Sequence, residues 1–339
     1  MKTMIVAAGQ EKSAHSILGK MMVQYVIEAA YLAGLEDISI VLDAEDKAVE
    51  TELSEVYPTL NFVAQSDFDK VDEAGALVLY GNMPLITAEA IKGIMGNYNN
   101  RKNFFEMMGP CVHTQVDLAE AAARIRERIN NKHMLNGVRM MAPETVYIDD
   151  AVDIAPGVVI YPNVILESRC KIGPDVTIGA NSHLKNTVVE AGVNILQSVI
   201  FDATIGAGTE VGPFAYLRQN ANIGEKCRIG NFVEIKNSNL DSGVKAAHLA
   251  YIGDADLGKN VNYSCGAITA NYDGKFKHRT KVGDNAFIGS NATLIAPVTV
   301  GDDALVAAGS TITDNLQSHS LGIARARQVE KLGWVKSKP

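Results

Sequence analysis

The chain has 339 residues, of which 47% are hydrophobic and 21% charged, and its net charge at pH 7 is −8. This length and composition are typical of a globular protein with two domains. The negative net charge argues against a nucleic-acid partner. The sequence contains no stretch of eighteen apolar residues and no basic-then-apolar leader. These features predict no membrane span and a cytoplasmic location.

Residues 1–111 have the pattern of a small α/β domain. Three apolar runs, MIVAAG, ISIVLD and ALVLYGNMPLI, predict strands, and the amphipathic segment MMVQYVIEAAYLAG after the first run predicts a helix. This order favours a layer of parallel strands. The Ala7–Gly9 loop after the first strand has a glycine that would let the backbone approach a nucleotide, which is a weak signal by itself.

Residues 112–147 are predicted to link this domain to the rest of the chain. Residues 112–135, which include LAEAAARIRERINNKHML, have the composition of one amphipathic helix rich in alanine, arginine and glutamate. At the other end of the chain, residues 321–339 form a basic tail that contains the only tryptophan, Trp334.

Residues 148–320 repeat every six residues, with an aliphatic residue opening each hexad and often a glycine behind it. This period fits neither a helix nor a flat strand, and it predicts a β-helix in which three hexads form each coil and the openers fill the axis. An antiparallel sandwich would instead show alternating polarity and hairpin turns. The openers fall on three ladders, and the phase change after the first ladder is interpreted as an insertion: Ile154, Ile160, Leu166, Ile172, Ile178 and Leu184; Ile205, Val211, Leu217, Ile223, Ile229 and Ile235; Val282, Ile288, Leu294, Val300, Val306 and Ile312.

The predicted prism binds ligands on its outside, because inward side chains fill its axis. Three identical prisms with stacked flat faces would form clefts between them, so closed symmetry makes a homotrimer the expected assembly. The four cysteines are widely separated and have no metal-binding spacing, which predicts free thiols: Cys111, Cys170, Cys227 and Cys265.

Dense motifs in the second half carry a resemblance to a known family. They include PFAYLR at 213–218, GNFVEIKN at 230–237, KAAHLAYIGDA at 245–255, NVNYSCGAITANYDG at 260–274 and FIGSNATLIAPV at 287–298. With them the chain resembles the bifunctional bacterial enzymes that N-acetylate glucosamine 1-phosphate and then transfer a uridylyl group to the product, which makes UDP-N-acetylglucosamine. The resemblance implies a left-handed parallel β-helix of hexapeptide repeats behind a reduced, nucleotidyltransferase-like α/β domain of Rossmann-like type.

The front domain departs from that family where nucleotidyl transfer needs specific groups. The segment QEKSAHSILGK replaces the family's phosphate loop, and the uracil-binding segment survives only as Gln65. Asn82 stands at the position of the metal-binding aspartate, and His113 aligns with the second metal ligand. Because uridylyl transfer needs Mg²⁺ and cationic groups to neutralise the phosphates, we expect this activity to be lost.

The second half matches the family at its site positions. The resemblance implies a cationic pocket for the sugar phosphate, sugar contacts and an acetyl-CoA site, whereas Mg²⁺ is not expected to be needed for acetyl transfer and no metal ligands are predicted. At Cys265 the resemblance implies a role for the backbone amide, which faces the thioester carbonyl. The implied phosphate and sugar residues are Arg218, Lys236, Lys277, Tyr251 and Asn262, and the implied acetyl-CoA residues are Cys265, Asn271, Tyr272, Ser290, Ala308 and Arg325.

His248 in the HLAY segment is the candidate general base. An ammonium group has no lone pair, so the amine must lose a proton before it attacks the acetyl carbonyl, and imidazole titrates near neutral pH. A lone histidine among apolar residues is more often a structural donor. Tyr251 three residues further on and the family match favour the catalytic interpretation.

Three other functions stay open at the level of the sequence. The first is a bifunctional enzyme that retains uridylyl transfer. The second is a non-catalytic regulator that binds a nucleotide sugar or CoA, and the third is a hexapeptide acyltransferase with another amine acceptor or acyl donor. The intact positions His248, Asn271, Tyr272 and Arg325 disfavour the regulator.

Overall fold

The computed structural model describes residues 2–7, 14–72, 77–96, 111–332 and 334, without the side chains of residues 69–72. It divides into two compact units. The front unit contains residues up to His133 together with Tyr147–Ala151, and the second unit contains Met134–Val146 and the residues from Val152 onwards.

The front unit has a four-stranded parallel sheet with the strand order Asn61–Ala64, Ile38–Leu42, Thr3–Val6 and Leu77–Tyr80. This confirms the α/β prediction for this part of the chain. The buried strands MIV and ISIVL lie at the centre of its core. The remaining elements are the helices Met22–Leu32, Lys47–Val56, Gln65–Asp72, Ala88–Gly96 and Gln115–Leu135, a short hairpin of Ser16–Ile17 and Lys20–Met21, and the strand Tyr147–Ile148.

The long helix begins at Gln115 and ends at Leu135, so it is shorter than the predicted linker of residues 112–147. Its start is fixed by a reciprocal cap. The Asp117 carboxylate accepts the backbone N–H groups of His113 and Thr114, and the Thr114 hydroxyl accepts the N–H of Asp117.

The second unit is a prism of parallel strands with three faces. Its first face has the strands Arg139–Met140, Val159–Ile160, Thr177–Ile178, Asn194–Ile195, Glu210–Val211, Arg228–Asn231, Lys245–His248, Asn262–Tyr263, Phe287–Ile288, Leu305–Val306 and Leu321–Gly322. In this unit the second face has Ile165–Glu167, His183–Lys185, Val199–Phe201, Tyr216–Arg218, Glu234–Lys236, Tyr251–Gly253, Ile268–Ala270, Thr293–Ile295 and Thr311–Ile312. The third face has Asp153–Ile154, Lys171–Ile172, Val188–Val189, Ala203–Ile205, Ala221–Ile223, Asn239–Leu240, Ala255–Leu257, Thr280–Val282 and Val298–Val300.

This architecture is a left-handed parallel β-helix, as the hexad period predicted. Ile154 pairs with Ile172, Ile160 with Ile178, and Leu166 with Leu184, so three hexads form one coil. Every opener of the three ladders is at most 5% exposed. The aliphatic openers therefore form the core of the prism.

Two expectations about this unit are wrong. The phase change after Leu184 is a shortening and not an insertion, because Ile172 pairs with Val189 and Val189 with Ile205, which makes these coils seventeen and sixteen residues long. The stacked strands also begin at Arg139 and extend to Gly322, beyond the predicted limits of 148 and 320. Short strands at both ends lack a complete hexad pattern, which explains why the repeat did not show them.

Close stacking of the coils makes particular glycines indispensable. At Gly230 an added Cβ atom would overlap the carbonyl oxygen of Ala247 in the next coil. Backbone atoms cannot rotate away as a flexible side chain can. This position therefore requires glycine because of space and not because of its backbone dihedral angles.

We expect Gly230→Ala to destabilise the protein by about 3 kcal/mol or more, since overpacking forces the backbone to shift. Gly192→Ala is the matched control, because Gly192 has a φ of 67° but no atom within 4 Å of the added Cβ. The control carries only the backbone penalty of about 1–2 kcal/mol. Urea unfolding of both variants measures the difference, and equal losses of stability would contradict the packing argument.

Candidate functional site

The first corner of the prism, where the chain passes from the first face to the second, stacks four predicted site residues. Backbone hydrogen bonds join successive coils here: Leu249 N–H donates to Asn231 O, Gly266 to Leu249 O, Asn291 to Cys265 O, and Gly309 to Ser290 O. The register of the preceding strands pairs Lys245 with Asn262, Asn262 with Phe287, and Phe287 with Leu305. Three residues after each of these positions, the same place in four consecutive coils is occupied by His248, Cys265, Ser290 and Ala308. We call these four residues the corner column.

His248 stands at one end of the corner column and is exposed to solvent. It is in register with Asn231 of the preceding coil, and its Nδ1 lies 3.0 Å from Asn231 Oδ1. Because an amide oxygen only accepts hydrogen bonds, Nδ1 is the donor, and the lone pair of the neutral ring is on Nε2. The geometry therefore leaves Nε2 as an accessible proton acceptor.

The other three members of the corner column have small side chains and outward backbone N–H groups. Within the described part of the chain, no residue accepts a hydrogen bond from the N–H groups of Cys265, Ser290 or Ala308. Consecutive coils are about 4.8 Å apart, so the column extends about 14 Å from His248 to Ala308. It offers a straight row of donors to an extended ligand that carries carbonyl groups.

Arg325 lies beside the far end of this row. An added Cβ on Gly309, the residue after Ala308, would be 3.7 Å from Arg325 Cδ. The Arg325 side chain is exposed, as is Trp334 in the tail, whose ring lies 5.0 Å from Lys331 Nζ. A phosphate at this end of the column would therefore meet a guanidinium group.

The second face carries the predicted sugar-phosphate residues in adjacent coils. Arg218 is in register with Lys236, and Lys236 is in register with Gly253. The guanidinium of Arg218 donates from Nε and Nη2 to one oxygen of Glu234, at 2.8 and 2.6 Å. Arg218 is therefore oriented by a carboxylate, which partly offsets its charge.

Tyr251 lies on the same face between the two corners. Its hydroxyl group occupies the space that a side chain at position 253 would need, so Gly253 lets the phenol ring lie along the strand. This places an apolar ring edge and a hydroxyl group between the imidazole of His248, at the first corner, and the ammonium of Lys236 near the second. Such a surface suits a sugar ring held at both ends.

The second corner, between the second and third faces, brings Lys236 next to Lys277. The neighbouring Lys277 ammonium lowers the pKa of Lys236 below its ordinary value. Both side chains line a cleft of 640 Å³ that also includes Asn237 and Asp254. Neighbouring ammonium groups repel each other, so the cleft has the electrostatic character of an anion site.

The remaining predicted residues lie in other places. Asn271 is buried at the second corner, where its amide donates to Asp254, and it does not lie on the corner column with Cys265. Tyr272 is 60% exposed, and its hydroxyl donates to Gly274 O at 2.7 Å. Asn262 lies on the first face and donates to the Ser264 hydroxyl at 3.0 Å. One chain therefore brings together the second-face cations and the corner column, but it holds Asn262 on a separate face.

Sequence reasoning missed four residues that shape the site. Asn231 orients His248, Glu234 orients Arg218, and Asp254 and Arg279 fix the loop that carries Lys277. Asn231, Glu234 and Asp254 lie within the motifs given in the sequence analysis, whereas Arg279 does not. The signal that could have found them is the coil length, because residues seventeen positions apart in these coils are neighbours.

Asn82 makes structural contacts in the front unit. Asn82 is 2% exposed, and its amide nitrogen donates to Val112 O at 3.3 Å, while its backbone oxygen accepts the Val112 N–H. His113 is exposed. No group of three or more His, Cys, Asp or Glu side chains that could hold a metal ion occurs in the described ranges. Ala8, Gly9 and the first four residues of the QEKSAHSILGK segment lie outside the described residues.

Two further sequence expectations can be compared with the structure. The four cysteines are free thiols, as expected, with Cys170 and Cys227 buried. Among the helices of the described residues, none is long and apolar enough to cross a membrane.

Comparisons with known proteins first define the class. The family model described as "Bacterial transferase hexapeptide (six repeats)" matches residues 151–186 and 202–237, and the model "Hexapeptide repeat of succinyl-transferase" matches residues 279–314. Together with the coil geometry, these matches show that the second unit contains hexapeptide repeats similar to those of bacterial transferases.

Within that class the chain is a relative of the proteins called Bifunctional protein GlmU, which confirms the resemblance found in its motifs. It is 52% identical to the protein from Geobacillus sp. (strain WCH70) over 69% of this chain and 50% of that one. It is 44% identical to the protein from Staphylococcus haemolyticus (strain JCSC1435) over 79% of this chain and 60% of that one. The chain spans about half the length of most of these curated relatives.

Among solved structures, the UDP-N-acetylglucosamine acyltransferase from Campylobacter jejuni is similar at 17% identity. The alignment covers 56% of this chain and 70% of the Campylobacter jejuni protein, with a TM-score of 0.32.

The Lys236–Lys277 pair generates a pH prediction. Because Lys277 lowers the pKa of Lys236, Lys236 loses its proton at a lower pH than an ordinary lysine, and affinity for a phosphate monoester falls earlier as pH rises. Lys277→Met removes the neighbouring charge, so the pKa of Lys236 rises and the fall in affinity moves to higher pH. Calorimetric titration with glucose 1-phosphate, which has no amine, measures this shift between pH 7 and 10.

Lys185→Met is the control for this experiment, because Lys185 is an exposed lysine three coils earlier on the same face. It should leave both the affinity and its pH dependence unchanged. An identical pH dependence in Lys277→Met and the unsubstituted protein would contradict the coupling of the two lysines.

Proposed function

We propose that this chain is an acyltransferase that transfers the acetyl group of acetyl-CoA to the amine of glucosamine 1-phosphate, forming N-acetylglucosamine 1-phosphate for UDP-N-acetylglucosamine synthesis. The observation that carries the proposal is the corner column. It combines a histidine whose Nε2 is free to accept a proton with a row of unpaired backbone donors. The similarity to Bifunctional protein GlmU supports the same activity.

The corner column suits an extended thioester. When acetyl-CoA is bound, its pantetheine amides would lie along the N–H groups of Ser290 and Ala308, with a phosphate near Arg325. The thioester carbonyl would face the N–H group of Cys265. A backbone donor at that point stabilises the oxyanion of the tetrahedral intermediate, and it does so with any side chain at this position.

The second face suits the phosphorylated amino sugar. Lys236 and Lys277 would hold the phosphate, and Arg218, oriented by Glu234, adds a third cation. Tyr251 would lie under the sugar ring, so that the amine reaches towards the first corner. His248 Nε2 takes one proton from the ammonium group, and the nitrogen lone pair then attacks the acetyl carbonyl. When the intermediate collapses, the carbon–sulfur bond breaks and the CoA thiolate leaves and takes the proton of the imidazolium. The nitrogen loses its second proton to the neutral imidazole thus formed, which passes it to water, and the amide is left neutral.

A homotrimer is part of the proposal. Asn262 lies on the first face, away from the cations of the second face, and the corner between these faces is convex in a single chain. A second copy of the chain, packed against the exposed corner column and the second face, would form the opposite wall of a cleft. We infer that Asn262 of one chain contacts the sugar bound by a neighbouring chain.

Replacing His248 tests the proposed chemistry. We expect His248→Ala to lower kcat by about 10²–10⁴-fold, because the general base is lost, while the KM for both substrates changes little. The measurement is release of CoA thiol with glucosamine 1-phosphate as the acceptor.

His278→Ala is the matched control for His248→Ala. His278 is a half-buried histidine whose Nε2 pairs with Asp273 at 2.7 Å in the loop, so its loss should reduce turnover far less. Sedimentation velocity should give the same oligomer for both variants. Unchanged turnover in His248→Ala would refute the assignment, and activity only with other amino sugars would favour a different acceptor.

We also propose that the front unit does not catalyse uridylyl transfer. The buried, hydrogen-bonded Asn82 supports this view, because a carboxamide fixed to Val112 has no negative charge for Mg²⁺.

The prediction is that UTP and N-acetylglucosamine 1-phosphate with Mg²⁺ release no pyrophosphate. A coupled pyrophosphate assay measures this, with a full-length GlmU relative as the positive control. Magnesium-dependent release above the enzyme-free rate would show that the chain is bifunctional.

A further inference from the structure

Asp254 is an unusual residue in this structure. Of the aspartate and glutamate side chains in the described ranges, it is the only one that is buried, with 7% exposure. Burial of a carboxylate is costly unless hydrogen bonds and cations compensate for the lost water. Asp254 lies at the second corner with a φ of 49°, in the left-handed region. Other residues at this corner, such as Asp202, share the left-handed φ, so burial is the feature that distinguishes Asp254.

The partners of Asp254 explain how the carboxylate is tolerated. Oδ1 accepts the side-chain amide of Asn237 at 2.5 Å, and Oδ2 accepts the side-chain amide of Asn271. The negative charge of Asp254 also acts on two cations. It partly opposes the lowering of the Lys236 pKa by Lys277, and it adds to the raised pKa of Arg279, which is caused mainly by the hydrogen bond to Asp256. Asp254 therefore lies where the phosphate-binding cations meet the loop that follows Asn271.

The hydrogen bond to Asp254 fixes the direction of the Asn271 amide. A carboxylate has only acceptor atoms, so a flipped amide would put two oxygen atoms against each other. Nδ2 must therefore point towards Asp254 and Oδ1 away from it. Asn271 itself is 8% exposed, so few other partners can set its orientation.

The other end of this loop is held by Asp256, which lies two residues after Asp254. Arg279 donates to both oxygens of Asp256, each at 2.6 Å, and to the backbone oxygens of Asn237 and Ala255, each at 3.1 Å. The segment 271–279 leaves the prism between these two attachments and carries Tyr272 and Lys277. Its first residue, Asn271, is thus bonded to Asp254, and its last residue, Arg279, is bonded to Asp256.

We propose that Asp254 is a positioning residue that sets the Asn271 amide and the segment 271–279, and through Lys277 in that segment the phosphate end of the substrate whose amine reacts at the first corner. The proposal deepens the proposed function and rests on it for its kinetic part. Asp254 need not touch the substrate, because it acts through Asn271. The other part of the proposal, that Asp254 holds the segment 271–279 in place, does not depend on any catalytic activity.

The kinetic test is a double-mutant cycle. Asp254→Asn should lower kcat about 10- to 100-fold, which is the scale of loss for a small misplacement of reacting groups. The KM for glucosamine 1-phosphate should stay equal or fall, because a negative charge beside Lys236 has been removed. In the Asn271→Ala background, Asp254→Asn should change kcat by less than about 3-fold, since residues that act as a unit are not additive.

Asp202→Asn is the matched control. Asp202 lies at the same corner in an earlier coil, has the same φ of 49°, and accepts the Asn186 amide at 2.9 Å, but it contacts no loop. Because Asp202 also lines the cleft that contains Lys236 and Lys277, only kcat is compared, and Asp202→Asn should leave kcat unchanged. An equal loss of kcat in Asp202→Asn, or an equal effect of Asp254→Asn in both backgrounds, would overturn the proposal.

Hydrogen exchange separates failure of this proposal from failure of the proposed function. The backbone N–H groups of Asp273 and His278 donate to Phe276 O and Asn271 O within the loop. Asp254→Asn should speed their exchange at least about tenfold, and Asp202→Asn should not. If Asp254→Asn does not fold, Asn271→Ala tests the same attachment from the other side. Unchanged exchange would refute the loop attachment, whereas a protein inactive on glucosamine 1-phosphate would refute only the function.

Discussion

The stacking of parallel coils in exact register is the constraint on which this structure depends. Each coil can lie on the next only if its inward residues are aliphatic and its backbone approaches closely, as Gly230 shows at the carbonyl of Ala247. Once the coils are in register, residues far apart in the sequence share a position on the surface. The corner column and the second-face cations are products of that register, since each coil contributes one group to each row.

The same constraint explains how much of the molecule could be predicted from its sequence. The hexad openers predicted the β-helix and its core, because burial along the axis depends only on residue type and period. Coil length is harder to predict, and the shortened coils after Leu184 were misinterpreted as an insertion. Asn231 and Asp254 were missed for the same reason, because their contacts depend on which residues lie one coil away. The position of Asn271 beside Asp254, away from Cys265, also needed coordinates.

The two units use polar residues in contrasting ways. In the front unit, the residue at the metal position is a buried asparagine that ties a strand end to the segment before the long helix. In the prism, charged side chains are collected on one face and one corner, and carboxylates such as Glu234 and Asp256 orient the arginines. A carboxylate that orients an arginine offsets part of the positive charge of the arginine, but it fixes the direction of the guanidinium group. In the prism, carboxylates thus set the directions of cations, whereas Asn82 in the front unit joins two segments of the backbone.

The donor row at the first corner has a consequence for variation among related chains. Its hydrogen-bonding groups belong to the backbone, so their placement is set by the coils and not by the side chains of Cys265, Ser290 or Ala308. Substitutions at these positions can change the shape and reactivity of the surface beside the donors without removing a donor. The partly exposed thiol of Cys265 could therefore be replaced by another small side chain while the row of donors stays as it is.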